Sequence, residues 1–406
     1  MSAQVLDRFC VAGVNYHKAD TTVRGMFAVN KAGYARIVEA AKAQNLRSVF
    51  VVSTCNRTEI YGFAENVMQL VHLLVGQTAG GAEEFLKYAY LKNGENALDH
   101  LMNVSSGLDS QILGDYEILG QLKQAIDVAA EHDMLGPVMN RTVSYALQAS
   151  KKIKSGTELS TGTVSVSFAA IELLRKHPGI KDKRILVVGA GKFGGNVCRN
   201  LVEYLPGIDV TVVNRTDEHA QLLANTSGIK FIPFQMLQAE ADNADVIIVC
   251  TNASSPTILP QYFQQEKPRL ILDLSVPVNV DPLVREIPQV EVIDVDEISV
   301  SILDKTFARR KAEVPKAQEI LLHYKTEYCN WLLEYRYALH IKSWKDKLQE
   351  LSEWQPQFCE MAGEKPALID KTRVQKAVTR LAVNLKTNQE KGCQFINAIN
   401  DYLQMP

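Results

Sequence analysis

The sequence predicts an α/β multidomain chain with an N-terminal mixed α/β part, a doubly wound parallel sheet in the middle and an all-helical C-terminal part on a long helix. Three observations predict it. Short apolar strands alternate with helically spaced segments early in the chain; apolar runs recur from Arg184 onward with gaps long enough for crossover helices; and past residue 300 the pattern becomes one long, charged, amphipathic run. The domain boundaries read as 1–150, 151–300 and 301–406. At about 150 residues per domain, a chain of 406 residues holds two to three domains, each able to bury its own core.

In the first part, Phe9–Val14 and Ser48–Ser53 read as strands, with helical spacing over Thr21–Ala28 and Lys31–Ala43 between them. Glu59–Phe63 reads as a strand and Val67–Gly76 as a helix, and a helix-rich stretch from Asn96 to Ala130 is interrupted near Gly107 and Gly114. Ala146–Ser155 reads as a helix running into SGTELSTGTVSVS, whose Ser, Thr and Gly suit an interdomain linker, and Phe168–Lys176 as the next helix. In the second part the strands are Arg184–Val188, Asp209–Val213, Asp245–Cys250, Leu270–Asp273 and Val290–Asp294, with a helix over Asn196–Tyr204. The long run spans Thr306–Leu351, with Pro315 inside it and Trp331, Leu332 and Tyr335 at helical spacing. A helix of that length cannot bury its stripe alone, so this part reads as an oligomerisation element. A polar break over Ser352–Pro366 precedes further helix over Asp370–Leu403.

Charge and cysteine content exclude several classes. Lys+Arg 44 against Asp+Glu 46 gives net charge −2, so no global basic field marks the chain for nucleic acid, and any such contact is local. The basic clusters Lys151-Lys152-Ile153-Lys154, Lys181–Arg184 and Arg309-Arg310-Lys311 read as solvated faces, although the first is close enough to the N-terminal part for a phosphate-backbone contact. Seven cysteines stand far apart with no CxxC pair, which disfavours a disulfide scaffold or a zinc module, and no metal is expected. Neither a leader pattern nor an apolar run of roughly 20 residues is present, so a reducing cytoplasm and no membrane are expected.

Three constellations can carry chemistry. Gly189-Ala190-Gly191-Lys192-Phe193-Gly194 is a GxGxxG in its confirming context, after an apolar strand and before a helix, which makes the middle part Rossmann-type. A site that prefers NAD would end its second strand in Asp or Glu; here Asn214-Arg215-Thr216 stands, which suits the 2′-phosphate of NADP. Ser53-Thr54-Cys55-Asn56-Arg57-Thr58-Glu59 sets one thiol in a polar run at a strand end. There Arg57 or a backbone dipole could lower its pKa and make it a nucleophile. The alternative, a small core residue, is retained for the other six cysteines. Finally, Gly107-Leu108-Asp109-Ser110-Gln111 continues through Gly114-Asp115-Tyr116-Glu117 to Gly120-Gln121. Glycines in helix-forming sequence cost stability, so this is either a substrate-recognising corner or a capped helix-loop-helix. His100 lies shortly before it; a lone histidine is more often structural than catalytic.

These motifs resemble glutamyl-tRNA reductase. The resemblance runs from Gly13-Val14-Asn15-Tyr16-His17 through STCNRTEIYG, GLDSQILG and ILGQLK to the glycine fingerprint, VNRT, and DLSVPVNVDP at Asp273–Pro282. It implies a catalytic domain that recognises glutamyl-tRNA, an NADP domain and a C-terminal dimerisation domain strung along a long helix. It implies Cys55 as nucleophile and His100 as important for activity, with Thr54, Asn56, Arg57, Ser110, Asp115, Tyr116, Glu117 and Gln121 in the substrate pocket. The implied reaction is NADPH-dependent reduction of glutamyl-tRNA to glutamate-1-semialdehyde through a cysteine thioester, the first step of tetrapyrrole biosynthesis. The implied partners are a second copy of the chain and an aminotransferase for the unstable product. The chain departs from the family where Gly114-Asp115-Tyr116-Glu117 replaces the usual Gly-Glu-x-Gln. The alternatives are another cysteine-dependent semialdehyde dehydrogenase, a shikimate-dehydrogenase-like enzyme, or a diverged non-catalytic tRNA-binding or regulatory paralogue. The first places its nucleotide fold ahead of the cysteine, and the second leaves STCNRTE unexplained.

Overall fold

The computed structural model describes residues 3–160, 166–253 and 255–362, with 376, 379 and 380. The chain forms two compact units, one of Leu6–Tyr324 and one of Met1–Val5 with Lys325–Pro406.

The larger unit holds two sheets. In the first, β1 (Phe9–Asn15), β2 (Val49–Ser53), β3 (Arg57–Phe63) and β4 (Tyr90–Asn93) lie in the order β2-β3-β1-β4, all neighbours antiparallel. β1, β2 and β3 are buried along nearly their whole length, so their apolar residues run on without alternation. Polar residues join that core: Arg57, Thr58 and Glu59 on β3 are all buried. Strand β3 thus starts two residues earlier than its apolar content suggests. The edge strand β4, half polar and short, has no sequence signal above its surroundings. Helices Gly94–Ser105, Glu117–Glu131 and Pro137–Gly156 follow; the last begins well before Ala146, with Pro137 in its first turn, where the missing N–H costs nothing.

The second sheet is six parallel strands, β5 (Arg184–Val188), β6 (Asp209–Val213), β7 (Lys230–Phe231), β8 (Val246–Val249), β9 (Arg269–Asp273) and β10 (Val290–Asp294). Their order, β10-β9-β8-β5-β6-β7, is that of a doubly wound Rossmann sheet, and the strand order reverses between β5 and β8. Apolar clusters cover both faces, one built on Ile185, Val187 and Val212, the other on Leu186, Val188 and Val213. Crossovers after β5, β6 and β7 contain the helices Lys192–Tyr204, Asp217–Ser227 and Leu237–Asn243, whereas those after β8 and β9 contain, among the described residues, only 3-10 turns. β7, of two residues, is too short to show a pattern.

One helix spans Val295–Ala362, longer at both ends than the run Thr306–Leu351. Its start is fixed by a capping box: Asp294 Oδ1 accepts from the N–H groups of Asp296 and Glu297, and Glu297 Oε2 accepts from Asp294 N. The polar break expected from Ser352 is absent as far as Ala362, the helix running on through Pro356. Most of Asp370–Leu403 lies outside the described residues. Among the described residues no helix is long and apolar enough to cross a membrane. Arg310 is buried, so the cluster Arg309-Arg310-Lys311 is not wholly a solvated face.

Gly114 shows why glycine interrupts helix-forming sequence here. Its φ is +84°, and a Cβ would collide with the Leu159 carbonyl oxygen. Gly114→Ala is expected to lower unfolding stability by about 2–4 kcal/mol, from a left-handed backbone combined with a backbone clash. Urea denaturation of the variant against the unsubstituted protein measures it.

Candidate active site

Strands β2 and β3 are joined by three residues, Thr54, Cys55 and Asn56. Thr54 holds this tip: its N–H donates to Arg57 O at 2.8 Å, and its Oγ1 accepts from Asn56 N at 3.1 Å and Arg57 N at 3.2 Å. Asn56 O accepts from Tyr16 N at 2.9 Å, pinning the tip to the end of β1. The Cys55 side chain is thereby aimed sideways from a rigid loop, half-buried. The Asn56 amide oxygen is buried with no hydrogen-bond partner among the described residues, in the wall of the same cavity that Cys55 lines.

Arg57 does not serve Cys55 as its sequence position suggests. Its Nη1 donates to Glu59 Oε1 at 2.9 Å and Asp109 Oδ2 at 2.8 Å, and its Nη2 to the Asp109 carbonyl. Three of its five N–H groups are engaged, which leaves Nε and one Nη2 hydrogen. Burial works against a charged Glu59, yet the Arg57 guanidinium, His100 and the Tyr61 hydroxyl outweigh it and hold the carboxyl well below the usual range. His100 Nε2 lies 2.8 Å from Glu59 Oε1, and Tyr61 donates to Oε2 at 2.5 Å. Glu59, His100 and Asp109 bring ligand-type atoms within 4.8 Å of one another, and the cation among them is the Arg57 guanidinium. His100 therefore belongs to the support behind the tip. It lines a second pocket with Lys92 and Asp109, and not the cavity of Cys55.

That cavity, of about 290 Å³, gathers most of the remaining candidates. Thr54, Cys55, Asn56 and Arg57 line it from the hairpin, Ser110, Asp115, Glu117 and Gln121 from the next segment, and Gly191, Lys192 and Phe193 from the glycine loop. Tyr116 turns away, donating to the Ser150 carbonyl, with Lys154 Nζ 4.5 Å from its ring centre. It is part of the helix packing and not of the pocket wall. Burial raises the Cys55 thiol to about 12, helped by the negative Asp115 and Glu117 and opposed by Arg24. The expected lowering by Arg57 is thus absent. Burial and the neighbouring Glu117 likewise raise Asp115 to about 8, against the Glu117 N–H that its Oδ1 accepts at 2.9 Å and the charges of Arg310 and Arg57.

Sequence reasoning missed the far wall. Cys250, Thr251 and Asn252 follow β8, and Leu274, Ser275 and Val276 follow β9. These are carboxyl ends of parallel strands beside the point where strand order reverses, the place where such sheets bind ligands, and that rule could have found them. The buried Asp273 shapes the second loop, its carboxylate accepting from the N–H groups of Ser275 at 3.0 Å and of Asn279 and Val280 at 2.9 Å. This accounts for the DLSVPVNVDP segment as a folded loop.

The glycine loop fits a dinucleotide. Helix Lys192–Tyr204 starts at Gly191 without a side-chain cap, so its first-turn N–H groups point where a pyrophosphate would lie. A Cβ on Gly191 would meet nothing within 4 Å, whereas one on Gly194 would collide with the Gly189 carbonyl. The first glycine thus leaves room for a ligand and the second closes the helix onto the strand. Asn214 Oδ1 accepts from Ala190 N at 3.1 Å and its Nδ2 donates to Thr216 O at 2.9 Å. Asn214 therefore braces the loop, leaving Arg215 and Thr216 exposed at the end of β6.

Known proteins match this sequence over nearly the whole chain. Residues 12–157 match the family "Glutamyl-tRNAGlu reductase, N-terminal domain", and residues 172–300 match "Shikimate / quinate 5-dehydrogenase". Glutamyl-tRNA reductase from Christiangramia forsetii is 38% identical over 403 residues, covering 98% of this chain and 96% of that protein. The one from Flavobacterium psychrophilum is 38% identical over 403 residues, with 98% and 97% covered. The solved glutamyl-tRNA reductase from Methanopyrus kandleri shares 25% identity at TM-score 0.49, covering 98% of this chain and 95% of that one.

The raised Asp115 gives a pH signature. A carboxyl raised by folding favours the folded state below its unfolded value near 4, and that contribution is lost as pH rises through about 8. Asp115→Asn is therefore expected to match the unsubstituted protein at about pH 4–5. Above pH 8 it should exceed it by on the order of 5 kcal/mol, read from unfolding midpoints across that range.

Proposed function

Because the chain belongs to the glutamyl-tRNA reductase family, we propose that it uses NADPH to reduce glutamyl-tRNA to glutamate-1-semialdehyde, the first step of tetrapyrrole and 5-aminolevulinate biosynthesis. The observation that carries this reading is a single cavity lined both by the half-buried Cys55 and by the uncapped helix start at Gly191, Lys192 and Phe193. An oxidoreductase with a dehydrogenase-type domain uses a nicotinamide cofactor; the choice of NADPH rests on Arg215 where an acid would otherwise select NAD.

The glutamyl group brings an ammonium, a carboxylate and an ester carbonyl. Asp115, Glu117 and the unpartnered Asn56 oxygen suit the ammonium, and the two remaining Arg57 donors suit the carboxylate. An ammonium placed against Asp115 and Glu117 would offset the negative charge that adds to burial in keeping the thiol protonated, so that substrate itself favours the thiolate. The Cys55 sulfur then bonds to the carbonyl carbon, the bond to the ribose oxygen breaks, and that oxygen leaves carrying the proton the thiol gave up. What the cofactor supplies when bound is a hydride for the thioester carbon. Cys55 is released as thiolate with the aldehyde. His100, through Glu59, keeps Arg57 and the tip in place and acts as a positioning residue.

We assign 1–150 to glutamyl-tRNA recognition and catalysis, 151–300 to the NADP domain, and 301–406 to the long connecting helix and a homodimer contact. A cytoplasmic setting, with free thiols and an aminotransferase that takes over the aldehyde, completes the reading. In an assay with charged glutamyl-tRNA, Cys55→Ser should lose at least about 10³-fold in rate. Arg215→Ala should raise KM for NADPH about tenfold and leave that for NADH unchanged. Full activity of Cys55→Ser, or equal use of both cofactors by the unsubstituted enzyme, would overturn the corresponding assignment.

A further inference from the structure

The hairpin tip satisfies most of its own backbone groups, but the carbonyl of Cys55 needs a partner from elsewhere. It comes from Arg24, in the helix Thr21–Met26, whose Nε donates to Cys55 O at 2.9 Å. The Arg24 side chain is 1% exposed. Its other donors form a fork: Nη2 to Asp296 Oδ1 at 2.8 Å and Nη1 to Asp296 Oδ2 at 3.2 Å, with Nη1 also reaching Ala19 O at 2.7 Å. Gln111 Nε2 donates to Asp296 Oδ1 at 3.1 Å. Asp296 stands in the first turn of the long helix, where its backbone is held by the Asp294 cap.

We propose that Arg24 is the positioning residue of the nucleophile, and that Asp296 holds it there and draws off part of its charge, so that the first turn of the long helix sets the aim and reactivity of Cys55. The inference rests on Cys55 as the nucleophile. Three features carry it. Arg24 touches the nucleophile's own residue, whereas the charge of Arg57 is committed to Glu59 and Asp109. A bidentate guanidinium-carboxylate pair fixes the plane of the fork, and with it the direction of Nε. Of the charged groups around the thiol, Asp115 and Glu117 oppose its ionisation and Arg24 favours it, with Lys192 on the cavity wall and Asp296 facing the guanidinium from behind.

The test compares the rate at which iodoacetamide alkylates Cys55 in the full-length protein, located by peptide mass mapping, at about pH 7–10, where the rate follows the thiolate fraction. Asp296→Asn keeps an oxygen acceptor for the fork and removes the opposing charge, so alkylation should rise about 3- to 10-fold. Arg24→Gln should lower it by a similar factor. Arg24→Lys keeps the charge without the fork, so alkylation should stay near that of the unsubstituted protein while the single-turnover rate of acyl transfer from glutamyl-tRNA falls at least about tenfold. If Asp296→Asn leaves alkylation unchanged or slows it, the proposal fails, and that variant decides the matter even where Arg24→Gln does not fold. Full acyl transfer by Arg24→Lys would equally overturn the positioning role. Opposite shifts in alkylation without reduction of glutamyl-tRNA would uphold the role of Arg24 and remove the reductase reading instead.

Discussion

A guanidinium almost wholly shut off from water needs anionic acceptors for its charge, and in this molecule Arg57 finds them on two separate parts of the chain. Glu59 lies two residues along the same strand, and Asp109 belongs to the segment that follows the helix Gly94–Ser105. Removing one partner of a buried pair costs about 3–5 kcal/mol, because the survivor is left charged in a poorly solvating interior. Arg57, Glu59 and Asp109 therefore belong together or not at all. The hairpin tip and the 107–117 segment are locked as one piece, and the cavity owes its shape to that lock. His100, Tyr61 and Tyr90 complete the acceptor and donor count around Glu59.

The same logic divides the labour between two arginines. One is near Cys55 in sequence and spends its charge on structure; the other is 31 residues away and touches the Cys55 carbonyl. Local sequence shows which side chains are close along the chain, while ionic pairing is decided by which acceptors the fold delivers. Burial holds the resting thiol protonated, and the acidic wall of Asp115 and Glu117 adds to it. A thiol guarded in this way is spared idle reaction with electrophiles.

Much of this was legible in the sequence, for identifiable reasons. β5, β6, β8 and β9 are doubly covered strands, and doubly covered strands read as largely apolar runs, so the parallel sheet and its glycine loop stood out. The polar run around Cys55 was visible as an anomaly, but its meaning was not: Arg57 and Glu59 are polar because they are a buried pair, and pairing across 52 residues, as between Arg57 and Asp109, leaves no trace in spacing. Tyr116 shows the converse. It sits between two cavity residues, yet one position along a helix start turns a side chain by about 100°, enough to point it at Ser150 instead. Arg24 was invisible as a site residue, whereas the loops after β8 and β9 carry no contiguous motif and were reachable only through the rule that such sheets bind ligands at their strand ends.

The three-residue hairpin at Thr54–Asn56 also limits what evolution can do here. β2 and β3 are paired in fixed register from Ser53 opposite Thr58 to Val49 opposite Gly62, and successive residues of a strand face opposite sides. One residue inserted or deleted in the loop would either rotate the thiol off the cavity or slip β3 and carry Arg57 and Glu59 to the wrong face. Point substitutions can drift around this tip over long times, but its length cannot. Gaps in the chains of relatives should accumulate everywhere on the surface except across these three positions.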